Sequence, residues 1–594
     1  MSVSLLKARL IAGFLLCAAL SRASAQEPSP SLKEADADYR AGVAALSRRD
    51  LNGALGDFQK VVRLAPAAEQ GHSALGAVLV QLGRTSEGIR ELEKALAIKP
   101  SDSSAQLNLG LAYEHSGEAA KALPWFAKLE AASRTDKRPL PPYVLASYAR
   151  TLAAVRQFPA AVAKMKEAIA GDPQNAESLD ELGSLYAQQR DWSHAKQAFA
   201  AAIQANPDLA VAHLHLAMTL QAEGQPGVSG ASGAVAELTK AWQLAPQDPV
   251  IALQLGQMLA AAGQDEQAIP ILQRALELDP NSTAAAYQLG LALQRTDNSK
   301  DAIPLLQRAA TADPKNAEVL TNLGMALCQA QQAKDAVPIL QSAVALAPDN
   351  VTAHQNLAAA YIQLSQFDDA VTQLRAALKL SPDAPQLHYN LGLALKMKDD
   401  AADAIPELET AEKLDPSAPE PPYVLGVLYM QAGRYADAAR ELNISLKLRP
   451  ENGDGWATLG SVDNRLDKLP EAEAALKEAI RQLPQQPDPH LTLAAVLAKE
   501  NQPAEAAAER KTAAGLMRTN MNRQRAEVAS NSGNSLLKSG KVDDAITEFR
   551  EALGYDPNYA EAHTGLAKAL EQQGKVAEAA AEREKAEALE KASQ

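Results

Sequence analysis

Cysteine is almost absent from this chain. Two thiols in 594 residues, Cys17 and Cys328, exclude a disulfide-stapled scaffold. Aromatic residues make up only 4%. So few rings leave the interior to small aliphatic side chains, chiefly Ala and Leu, which favours closely packed helices over sheets. Positive charge is in deficit, with 58 Lys+Arg against 72 Asp+Glu, a net charge of −14 and an isoelectric point near 5.3. That balance speaks against a nucleic-acid partner, because phosphate binding needs a basic footprint. Beyond residue 25 no stretch has the ~20 apolar residues of a membrane span. No His is followed by Glu, so the helical zinc-protease motif is missing, and so are the Walker A and dinucleotide-binding glycine patterns. Gly227-Val228-Ser229-Gly230-Ala231 fails the nucleophile elbow at its fifth residue, which must be Gly. No metal or cofactor is expected. What is present, 47% hydrophobic and 22% charged residues, is the composition of an ordinary folded chain.

Residues 1–25 read as a secretory signal peptide. Lys7 and Arg9 precede an apolar run at 10–20, and Ala23-Ser24-Ala25 is a small-x-small cleavage site. Arg22 ends the run too early for an uncleaved anchor. A lipoprotein site at Cys17 would need a small residue where Leu16 stands. The expectation is export from a bacterial cytoplasm to the periplasm or beyond, with a mature chain starting at Gln26 and Cys328 its only thiol.

Past a short linker at 26–34, a repeat runs through the chain. A small residue, usually followed by Ala twelve positions later, recurs at Gly42, Gly76, Gly110, Ala149, Gly183, Ala217, Gly256, Gly290, Gly324, Ala358, Gly392, Gly426, Gly460, Ala494, Gly533 and Ala567. Leu precedes it except where Ala41, Tyr148 and Ser532 stand, Gly88 replaces the Ala once, and Ala234 comes only after a five-residue insertion. The spacing is 34 residues except at three steps of 39. A large apolar residue follows the Ala by four, as at Phe58, Phe126, Phe199 and Leu272, and Pro closes most repeats, as at Pro280, Pro314 and Pro348. A period of this length signals stacked supersecondary units that cannot bury their apolar faces singly.

The pattern resembles the tetratricopeptide repeat, whose positions are aromatic at 4, Leu at 7, small at 8, Ala at 20, aromatic at 24, Ala at 27 and Pro at 32. Sixteen repeats cover 35–593. The resemblance implies an all-α, right-handed superhelical solenoid in which each repeat is two helices, A and B. Small residues at 8, 20 and 27 let the backbones approach, and the large residue at 24 fills the wedge. Pro at 32 ends helix B. Pro270, Pro304, Pro338 and Pro406, at position 22, are expected early in helix B, where a missing N–H matters little. The 39-residue steps place irregularities at 132–142, at 224–233 and at 518–525, the last either a break or an extended helix. The segments are then 35–136 (repeats 1–3), 142–248 (repeats 4–6, with a loop at 224–233), 249–520 (repeats 7–14) and 526–593 (repeats 15–16, ending in a polar capping helix with Arg583 at position 24).

Six of the nine histidines, His72, His213, His354, His388, His490 and His563, fall at position 4 and are expected to be packed and hydrogen-bonded. In the family resembled, helix A lines the concave face and positions 2, 5, 6, 9, 12 and 13 meet the ligand. Position 6 carries Gln254, Gln288, Asn322, Asn356 and Asn390, carboxamides that both donate and accept. Position 5 adds Tyr287, Tyr389 and Tyr423, and positions 9, 12 and 13 add Met325, Cys328, Ile362, Met397 and Met430. Methionine and tyrosine suit adaptable apolar contacts. Cys328 is expected to be partly accessible there. The family's Lys/Asn clamp for a peptide carboxylate has no counterpart. The implied function is a non-enzymatic scaffold binding a protein or peptide segment in its concave groove. The alternatives are an envelope assembly factor for polysaccharide or secretion machinery, and the binding arm of an enzyme whose catalytic subunit is a separate chain.

Overall fold

The computed structural model describes residues 30–223 and 228–593. The expected signal peptide therefore lies outside the described residues. Thirty-one α-helices and no strand are found among them. Helices A and B alternate as the period predicts, for instance Ala317–Gln329 and Ala333–Leu346 in repeat 9, and Pro385–Met397 and Ala401–Leu414 in repeat 11. Contacts divide the chain into two compact blocks, Met1–Ala312 and Asp313–Gln594.

Local chemistry sets the helix ends. Asp102, Asn175, Asp248, Ser282, Asn316, Asn350 and Asn452 each cap a helix A by accepting from backbone N–H groups of its first turn. Every described A–B turn puts its position 15 in the left-handed region. Gly83, Gly263 and Gly433 hold it freely, but Arg190, Asp297, Gln331 and Asp399 hold it too. For such residues this conformation costs roughly 1 kcal/mol, so the turn is imposed by helix packing more than by its own residue.

Packing follows the small residues. Ala268, Ala302, Ala336, Ala370 and Ala404 at position 20 are fully buried, as are Leu272, Leu306, Leu340 and Leu408 at position 24. Repeat 2 has Gly88 where the others have Ala, and its helices come closer. A Cβ on Gly76 would stand 2.8 Å from the Gly88 carbonyl oxygen, and one on Gly88 would stand 2.7 Å from that of Gly76.

The position-4 histidines act as clips. His72, His213, His388 and His563 each set Nε2 2.8–3.1 Å from the carbonyl oxygen of the Pro that closes the preceding repeat. Their Nδ1 atoms lie 2.5–2.6 Å from Glu91, Glu237, Glu407 and Glu582 on helix B of their own repeat. His354 does the same with Pro348 and Gln373, and His490 reaches Glu509. One ring thus ties three chain segments together, as expected of packed histidines.

Two expectations need correction. Pro270, Pro304, Pro338 and Pro406 sit inside helix B, past its first turn. Each removes a hydrogen bond to the carbonyl four residues back. All four are exposed, so water can take the freed carbonyl. The 224–233 stretch is not wholly loop. Residues 224–227 lie outside the description, but helix Val228–Leu244 already includes 228–233. Of the two readings of 518–525, the extended helix is the one found: a single 36-residue helix, Pro503–Lys538, runs across the 520–526 boundary. At 132–142 the added residues extend helix Ala119–Asp136, which stops at left-handed Lys137.

Gly88→Ala should destabilise the N-terminal block by about 1–3 kcal/mol, the range for overpacking a tight interior. Ala302→Gly, at the same position of repeat 8, is the control. It adds no bulk and should cost only about 1 kcal/mol through lost helix propensity. Urea denaturation followed by circular dichroism measures both.

Candidate functional site

The expected binding residues divide between the blocks. Gln254, Tyr287 and Gln288 belong to the first, on helices Pro249–Ala261 and Thr283–Arg295, and all three are half-buried. The other ten belong to the second block and lie on four successive A helices: Ala317–Gln329, Val351–Gln363, Pro385–Met397 and Glu420–Gln431.

In that second block the spacing of 34 places Asn322, Asn356 and Asn390 at one level of three A helices. All are half-buried, as are Met325, Ile362, Tyr389, Tyr423 and Met430, while Met397 is exposed. Asn390 accepts a 2.9 Å bond from Gln386 through its side-chain oxygen. Asn356 keeps its amide nitrogen buried and without a partner, so its donor end faces inward. An unsatisfied buried donor costs about 1–3 kcal/mol. The carboxamide row is therefore not uniform.

Tyr389 borders an open cavity of about 510 Å³ between repeats 11 and 12, with Pro385, Gln386, Ala411, Glu420 and Pro421 around it. Burial raises its phenol above the ordinary value, and the Glu420 carboxylate adds to this while Arg449 opposes it. Tyr423 is raised too, by burial and by Asp454, with a bond to Thr458 pulling the other way. Both hydroxyls stay protonated and able to donate at neutral pH.

Cys328 is not where it was expected. It is only 7% exposed, and burial pushes its thiol up to about 11. Its Sγ lies 3.9 Å from the carbonyl oxygen of Asn356, and Gln363 donates to the Cys328 carbonyl oxygen at 3.0 Å. Position 12 here meets the next A helix, which covers it. The thiol is a packing group joining repeats 9 and 10.

Sequence reasoning missed a different arrangement on the A helices of the first block. Arg150, at position 9 of repeat 4, bonds Glu114 of repeat 3 at 2.7 Å and Glu181 of repeat 5 at 3.1 Å, and reaches Ser147 at 2.8 Å. Burial works against its charge, but the two carboxylates outweigh it and raise its pKa. Asp180 and His215 pair beside it at 2.9 Å. The signal was an Arg one repeat away from Glu on either side. In repeats 9–12 the ion pairs Arg375–Asp403, Lys398–Asp368 and Arg449–Glu420 sit instead on helix B, at turns or at a helix start. Positions 5, 6 and 9 of the A helices there carry no charge. Among the described residues no cluster of His, Cys, Asp and Glu could hold a metal, and no helix is long and apolar enough to cross a membrane.

Alternating A and B helices in sequential contact define a helical-repeat solenoid. A model of the tetratricopeptide repeat matches residues 73–137, 149–220, 287–351, 423–487 and 531–592, more than half of the chain. Further repeat models match 360–399 and 231–293. The chain belongs to the tetratricopeptide repeat family, a family of protein-interaction scaffolds that is generally non-catalytic. No curated protein matches it in sequence. Among solved structures it is similar to YrrB, described as a TPR protein with an unusual peptide-binding site, at 24% identity and a TM-score of 0.28 over 33% of this chain and 97% of that one. It is similar to MamA from Desulfovibrio magneticus RS-1 at 24% identity and 0.27, over 29% and 95%. The Cut9–Hcn1 hetero-tetramer of the APC/C gives 16% and 0.31, over 90% and 96%.

The folded protein should resist a maleimide at Cys328 near neutral pH and react only after denaturant is added. Mass spectrometry of both samples checks this, and rapid labelling of the native chain would contradict it.

Proposed function

We propose that this protein is an exported, non-enzymatic scaffold that holds a segment of a partner protein along the A helices of repeats 9–12. The observation that carries the reading is the contrast within the repeats. The A-helix row of repeats 3–6 is closed on itself by Arg150 and its carboxylates, whereas that of repeats 9–12 is uncharged at positions 5, 6 and 9, half-exposed and rich in Asn, Tyr and Met. Neutral amides suit a peptide backbone, and Tyr389, Met397 and Met430 suit its apolar side chains. Gln254, Tyr287 and Gln288 of the first block offer the same chemistry on their own helices.

Tyr389→Ala should weaken partner binding by about 1–3 kcal/mol, the loss typical of a hot-spot ring, while leaving the fold intact. Asn356→Ala is a poorer probe, since its donor already points inward. His388→Ala is the control. It breaks the clip to Glu407 and Pro382 and should lower stability instead. Pull-downs from envelope extract with wild type and Tyr389→Ala, each checked by circular dichroism, decide the matter. A partner retained equally by the folded variant would place the binding face elsewhere.

Export rests on residues 1–25 alone. The protein recovered from the periplasmic or extracellular fraction should begin at Gln26 by N-terminal sequencing. Intact Met1 in the cytoplasm would refute export.

A further inference from the structure

Helix Pro503–Lys538 interrupts the stacking rule. Its first part is helix B of repeat 14 and its last part is helix A of repeat 15, with no turn between them. At 36 residues it is about 54 Å long. The core of repeats 13 and 14 reaches it at Ala506, and the next core begins at Ala526. No residue at 514–525 is buried. Position 24 of repeat 14, which holds a buried Leu or Phe in most repeats, is Arg510, and it is exposed.

The charge on the exposed stretch is all of one sign. No carboxylate occurs between Glu509 and Glu527, in a protein with 72 of them. Five cations do: Arg510, Lys511, Arg518, Arg523 and Arg525. None has a carboxylate partner among the described residues. Arg523 and Arg525 lie 5.7 Å from the rings of Tyr559 and Tyr555. At about 100° per residue, four of the cations share one arc of roughly 120° with Met517, Met521 and Val528; Arg523 lies outside it. Those three apolar residues are 43%, 47% and 71% exposed. With Ala514 they are spaced by three, four and seven, the seam of a paired helix.

We propose that this face docks an amphipathic α-helix of a partner protein whose apolar stripe is flanked by Asp and Glu. The seam supplies apolar contact at helix–helix spacing, and the cations without carboxylate partners supply the sign of charge the partner must complement. The apolar strip is one helix wide, too narrow for insertion into lipid, and a chain of net charge −14 is repelled by an anionic bilayer. This surface is separate from the groove of repeats 9–12, and either can fail without the other.

The test uses the full chain and a labelled four-heptad helical peptide with Leu along its stripe and Glu on both flanks. Fluorescence anisotropy should show binding that weakens with salt. Arg518→Glu with Arg525→Glu should reduce it about tenfold or more. A peptide with Lys in place of Glu should bind that double variant better than wild type. Met517→Ser with Met521→Ser should also weaken the acidic peptide, with helicity unchanged by circular dichroism. Failure of the acidic peptide to bind wild type, or equal binding to the charge-reversed variant, overturns the proposal. So does binding of phosphatidylglycerol vesicles through these residues without binding of the peptide, which would assign the face to a lipid surface.

Discussion

The close approach of two helix backbones is the constraint on which the other features depend. It requires a residue without bulk at positions 8, 20 and 27, and it fixes where the large residue at 24 must go. Once helix B lies against helix A at that distance, the turn between them has one conformation available. Arg190, Asp297, Gln331 and Asp399 accept left-handed backbone because the helices on either side leave no other path. The histidine clips depend on the same geometry. Only a fixed A–B spacing brings Glu407 to one nitrogen of His388 while Pro382 of the preceding turn meets the other.

Because each repeat makes its contacts with its neighbours, the burial of one apolar face is completed by the next repeat along. This has two consequences for function. The A helices of consecutive repeats present equivalent positions at a regular rise, so a row of side chains can be tuned residue by residue. Repeats 3–6 use it for an internal ion network centred on Arg150, and repeats 9–12 leave positions 5, 6 and 9 uncharged. Where a neighbour does not fold back, as along Pro503–Lys538, the face that a following helix would cover stays open.

Much of this was legible in the residues. The 34-residue spacing places the helices, the position-20 alanines and the packed histidines. What the period alone does not show is how an exception is absorbed. Pro270 and its counterparts lie deeper in helix B than the pattern implies, and exposure makes that tolerable. Gly88 reads as a defect, yet with Gly76 it permits a closer backbone approach than the Gly–Ala pairs of repeats 8, 11 and 12. Cys328 and Asn356 read as groove residues because a position number gives a face and not its depth; the neighbouring A helix covers one, and the donor of the other turns inward. The fused helix stayed open to either reading in sequence, because the residues at 518–525 contain neither Gly nor Pro and so carry no stop.

Stability in this chain is assembled locally, through small-residue contacts within a repeat and between neighbours. Hydrogen exchange followed by mass spectrometry on wild type and Gly88→Ala tests it most directly. Exchange should be faster in repeats 1–3 of the variant, with protection unchanged in repeats 9–16. Uniform loss of protection along the whole chain would contradict it, because the repeats would then be unfolding as one unit.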